Sequence, residues 1–89
     1  MNTPLQRLDE LARLPNNWDS YGAKTITGAA IDEARRLIRL CEEPCQPPAI
    51  VPTNGGGVQL EWVHPHGLGS DVEIEIGPDG RIIGLWVML

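Results

Sequence analysis

An α+β fold, two N-terminal helices packed on one face of a four-stranded antiparallel β-meander, is what the sequence predicts. Three observations carry this expectation. Apolar residues recur at helical spacing in two stretches before residue 44, the period changes to two from Ala49 onward, and three clusters of turn residues cut the second half into short runs. The 89 residues allow one domain over 1–89 with a single compact core.

The first helix is expected over 3–14. Thr3 can cap it, Pro4 suits the first helical position and Gln6 can reach back to close a capping box. Leu5, Leu8, Leu11, Ala12 and Leu14 make its apolar stripe, and Pro15 stops it. The second helix is expected over 27–43, with Thr27 as N-cap and Ile26 and Ile31 at the spacing of a hydrophobic staple. Ala30, Ala34, Leu37, Ile38 and Cys41 share its inner face, and Asp32 and Arg36 stand four apart on the other. Pro44, Pro47 and Pro48 then impose a stiff, extended connection.

Strands are expected over 49–53, 58–63, 70–76 and 81–88, separated by Asn54-Gly55-Gly56-Gly57, Pro65-His66-Gly67-Leu68-Gly69 and Gly77-Pro78-Asp79-Gly80. Val58, Leu60 and Trp62 alternate with Gln59 and Glu61, and Val72, Ile74 and Ile76 with Asp71, Glu73 and Glu75, so one face is buried and the other wet. The last strand breaks the alternation, being apolar on both faces after Arg81. Helices cover only one face, so a homodimer whose contact includes Ile82–Leu89 is expected; a fold-back of the first helix and the proline linker over the two faces is the alternative.

Twelve carboxylates against six Arg and one Lys give a net charge of −5. That disfavours nucleic acid and anionic membranes as partners and favours a larger protein with a basic surface. No cationic leader precedes a long apolar run, and no segment approaches the ~20 apolar residues of a spanning helix, so a cytoplasmic location is expected.

Four clusters are candidate sites. Trp18, Asp19 and Tyr21 hold two of the four aromatics in a loop. They can stack and hydrogen-bond a small ligand or, in the favoured reading, plug the helix connection onto the sheet, with Asn16 or Asn17 closing the first helix and Gly22 at positive φ. Cys41, Cys45, His64 and His66 are chemically sound zinc ligands, but one residue between the imidazoles is not finger spacing, and no metal site or cofactor is expected. Asp71, Glu73 and Glu75, joined by Glu61, form either a solvated face helped by Arg81 or an anionic patch for a basic partner. The Asn54–Gly57 run precedes a strand and not a helix, so it reads as a turn and not a phosphate cradle.

The series LPNNWDSYGA, AIDEARRL, VPTNGGGVQLEW and DVEIEIGPDG resembles a group of small bacterial and phage proteins in which NWDSYGA and GGVQLEW recur. The resemblance implies a stand-alone domain of two helices and a sheet. It also implies that Trp18, Asp19, Tyr21, Gln59, Glu61 and Trp62 belong together. No nucleophile elbow, Walker loop or metalloprotease helix is present, so no catalytic residue is assigned and binding, not catalysis, is expected. The expected role is an inhibitor or accessory protein of the antitoxin or phage anti-defence type. The alternative is a nucleotide-like ligand stacked on Trp18 and Tyr21, with Arg35, Arg36 or Arg39 at its phosphate.

Overall fold

The computed structural model describes residues 3–40, 48–62 and 71–88. Helix α1 spans Pro4–Ala12 and α2 spans Gly28–Leu40; strands β1 (Ala49–Pro52), β2 (Val58–Trp62), β3 (Asp71–Ile76) and β4 (Ile82–Met88) follow. The strands form one antiparallel sheet in chain order, β1-β2-β3-β4, as a meander must. The α+β architecture expected from the sequence is the one observed.

Local chemistry explains the helix starts. Thr3 Oγ1 accepts from the Gln6 amide (3.2 Å) and Gln6 Oε1 from the Thr3 amide (2.9 Å), which completes the capping box. Thr27 Oγ1 accepts from the Ala30 amide (3.1 Å) and donates to the Pro78 carbonyl (2.6 Å), so one hydroxyl caps α2 and ties it to a hairpin turn. Two surface details differ from expectation. Ala12 is exposed, and Asp32 pairs with Arg35 three residues on, while Arg36 turns to Glu33.

The core consists of Leu8 and Leu11 from α1, Ile26, Ala30, Ile31, Ala34 and Ile38 from α2 and its approach, and Ile50, Val58, Leu60 and Ile76 from the sheet. Leu8, Leu11, Val58, Leu60 and Ile76 are sealed from solvent, and each contributes about 1.5–3 kcal/mol relative to exposure. Trp62 packs against this core, as the alternation requires, with its indole N–H buried and without an acceptor among the described residues.

The helices do not cover the whole sheet. α1 lies on β1 and α2 on β2 and β3, whereas among the described residues β4 touches no element but β3. Gly57 helps to fix this arrangement, because a side chain there would collide with the Ile76 carbonyl. β2 and β3 therefore approach closely at the base of the hairpin.

Candidate functional site

The loop that joins the helices is closed by its own polar groups. Asn17 (φ 61°), Ser20 (φ 64°) and Gly22 (φ 85°) are left-handed, a conformation Asn tolerates because its short amide bonds locally. Asn17 donates its amide to the Ala23 carbonyl (2.6 Å) and accepts at Oδ1 from the Gly22 amide (2.7 Å). Asp19 Oδ1 accepts from the amides of Tyr21 (2.8 Å) and Ala23 (3.0 Å), an Asx-turn that commits this oxygen to the backbone. Asn16 Oδ1 accepts from the Thr25 amide (3.1 Å). Neither Asn closes α1; the amides of Arg13 and Leu14 meet the last carbonyls, Glu10 and Leu11.

The rings do less in this loop than the sequence suggests. Trp18 is half-buried, and its indole donates to the Lys24 carbonyl (3.1 Å) within the loop. Among the described residues it is not one of those packed on the core. Tyr21 is 91% exposed. The reading of both rings as glue between loop and sheet is therefore corrected, for a physical reason: the Asx-turn at Asp19 points Ala23 inward and leaves Tyr21 outside. Ala23 and Ile26 are the buried plugs. Attachment to the sheet is by backbone, through Lys24 N–H to Asn54 O (2.9 Å) and Thr27 N–H to Gly56 O (3.0 Å). Gly56 holds φ at +95° with the Thr25 carbonyl 3.0 Å from where a side chain would begin, so the Asn54–Gly57 turn is a socket for this loop.

The second candidate lies on the far side of the sheet. Register places Glu61 opposite Glu73 and Gln59 opposite Glu75, on the face away from the helices, and carries the rows on to Trp86 and Gly84 of β4. Gln59 Nε2 donates to Glu61 Oε1 (3.0 Å) and reaches Glu73 Oε2 (3.5 Å), so one amide bridges two carboxylates that would otherwise repel. Among the described residues no ion pair involves Glu61, Glu73 or Glu75, and Asp71 extends the same face one pleat further. Arg81 does not serve this face; it pairs with Asp79 in its own turn (3.7 Å). Trp86, 47% exposed, lies across Gly84, where any side chain would strike the indole. The face thus carries carboxylates bordered by one open aromatic ring.

The structure does not bring the loop and this face together. No hydrogen bond or ion pair among the described residues joins Trp18, Asp19 or Tyr21 to Gln59 or Glu61, and Trp62 faces the helices. Arg35, Arg36 and Arg39 line a shallow groove of about 380 Å³ with Asp32 and Leu40, but neither Trp18 nor Tyr21 borders it. Arg35 is engaged by Asp9 and Asp32, and Arg36 by Glu33 at 2.6 and 2.8 Å. The hydrogen bond from Arg36 outweighs the opposing desolvation and, with the help of the guanidinium charge, holds the Glu33 carboxyl below the ordinary glutamate range.

Cys41, Cys45, His64 and His66 lie outside the described residues, among which no group of three metal-ligating side chains gathers. No helix among the described residues is long and apolar enough to cross a membrane. Against protein-family models, curated proteins and solved structures the chain finds no match.

Proposed function

We propose that the chain acts in the cytoplasm by binding and not by catalysis, as a small inhibitor or accessory protein of the antitoxin or phage anti-defence type. It presents the sheet face formed by Gln59, Glu61, Asp71, Glu73 and Glu75 to a basic surface of a larger protein. The observation that carries this reading is the placement of Glu61, Glu73 and Glu75 on one face of the sheet with no cation among the described residues to neutralise them. A basic partner supplies that missing charge, and its approach is accelerated by the field of a chain of net charge −5. The bordering Trp86 offers an aromatic surface on which an arginine stem can rest.

The test is capture from a lysate of the source cell at near-physiological salt, with wild type beside the Glu73→Lys, Glu75→Lys double variant. A protein retained by the first and lost from the second is the expected outcome. Equal capture by both, or capture by neither, removes the reading.

A further inference from the structure

We infer that β4 is a dimerisation edge, and that two copies of this chain join their β4 strands antiparallel into a continuous eight-stranded sheet. The interface uses the β4 edge and shares only Trp86 with the acidic face; the Leu85→Lys test leaves that ring in place, so the inference can fail without the function proposed above.

β4 is seven residues long, carries no charge and no proline between Ile82 and Met88, and among the described residues contacts no element but β3. From Gly84 to Met88, beyond the register shift at Ile83, every second residue of this edge points its N–H and C=O away from the sheet. Ile82, Ile83, Leu85, Trp86 and Val87 are 48, 61, 63, 47 and 56% exposed. Together they show on the order of 500 Å² of apolar surface, at the upper end of what a monomer presents. An interface of standard size needs about 800 Å² per partner, so this strip supplies the apolar centre and the flanking backbone and side chains must supply the rest.

The geometry selects the occupant. Leu85 and Val87 lie in the cross-strand rows of Ile74 and Val72, on the helix side, whereas Trp86 stands beside Glu73 on the far side. A body stacked on either face would leave the other row wet. A strand added in the plane of the sheet touches both rows together, at their flanks, and satisfies the open backbone groups of the edge. The edge of an ordinary half-wet sheet is apolar on one face only, and would set polar side chains against the second row. Another copy of β4 is apolar on both. With the two-fold axis at Leu85, the centre of Ile82–Met88, each Leu85 meets its counterpart and each Trp86 stands opposite the other copy's Gly84.

Charge does not oppose this pairing although each chain carries −5. The Glu73 and Glu75 rows of the two copies are separated by three strand spacings, about 14 Å. That exceeds the screening length of about 8 Å at physiological salt. An axis perpendicular to the sheet keeps both helical layers on one side, so the two acidic faces become one surface of twice the length.

Sedimentation velocity on the full chain from about 1 to about 200 µM tests this, since dimers accumulate with concentration. A species of twice the chain's 9.8 kDa is expected. Leu85→Lys should raise the dissociation constant at least tenfold, a change of about 1.4 kcal/mol. Leu85 is exposed in the single chain, so the variant should fold, with circular dichroism as the control. If it does not fold, hydrogen exchange on wild type decides, because β4 amides should become protected as concentration rises. A chain that stays at 9.8 kDa throughout, a Leu85→Lys dimer as tight as wild type, or association without protection of β4 amides overturns the inference.

Discussion

The two edges of the sheet are built from similar apolar residues and end in opposite states. β1 is four residues long, finishes at Pro52 and lies under α1, and Arg7 Nε donates to the Ile50 carbonyl (3.3 Å). β4 is seven residues long and, among the described residues, has none of these protections. One row that crosses the sheet makes the contrast plain: Ile50 is 5% exposed, Leu60 0%, Ile74 partly covered and Leu85 63%. Side-chain chemistry barely changes along the row. Its burial is decided by where the helices end up, which in turn depends on hairpin turns that grip the start of α2 through Thr27. An edge that is closed by length, proline and a side-chain donor resists pairing; an edge that lacks all three invites it.

The largest expected effect uses that row directly. Leu60→Ala should cost about 2–5 kcal/mol, because it removes a sealed side chain from the middle of the core. Leu85→Ala, the same change two strands away, should cost no more than about 0.5 kcal/mol when measured dilute enough to hold the chain as a monomer. Urea denaturation of both variants gives the comparison, and equal losses would mean that the edges do not differ as described. A smaller effect is expected at the closed edge itself. Arg7→Met keeps most of the stem but leaves the Ile50 carbonyl without its donor, which should lower stability by about 1 kcal/mol. Exchange at β1 amides should quicken in step, while β4 amides in the same sample stay unchanged.

Much of this architecture is legible in the sequence because the signals that specify it are local. Thr3 with Gln6, Thr27 before an apolar stripe, and alternation from Val58 to Trp62 and from Asp71 to Ile76 each act within a few residues, and each element appears where its signal lies. The two-sided apolar character of β4 was equally visible; Leu89, at the end of the stretch expected to form the contact, lies outside the described residues. The loop was harder. Nothing near Tyr21 in sequence says that Asp19 will take the Tyr21 and Ala23 amides, or that Lys24 and Thr27 will find carbonyls some thirty residues later in the Asn54–Gly57 turn. Large rings draw attention by their area, whereas the aliphatic side chains of Ala23 and Ile26 fill the space actually present. Arg81 sits across the hairpin from the acidic strand, where the solvated-face reading sets it beside those carboxylates, but the tight turn offers it a nearer one, Asp79.

The smallest expected effect separates the two edges by acid. β4 carries no titratable side chain, so pairing through it has no proton to gain or lose. The covered half does, at Glu33, where the Arg36 hydrogen bond stabilises the ionised carboxylate and holds its folded pKa below that of the unfolded chain. A depressed carboxylate contributes stability that is full above the unfolded value and is lost as pH falls through the folded one. Acidification below the ordinary glutamate range should therefore weaken folding through Glu33. Glu33→Gln, which cannot ionise, should lose part of that pH dependence in urea unfolding measured from neutral to acidic pH. Self-association, followed from pH 8 down to the point where unfolding begins, should stay flat in both proteins. A dimer that dissolves on mild acidification while the fold persists would place ionisable groups in the contact, and so would contradict an interface built from Ile82 to Met88 alone.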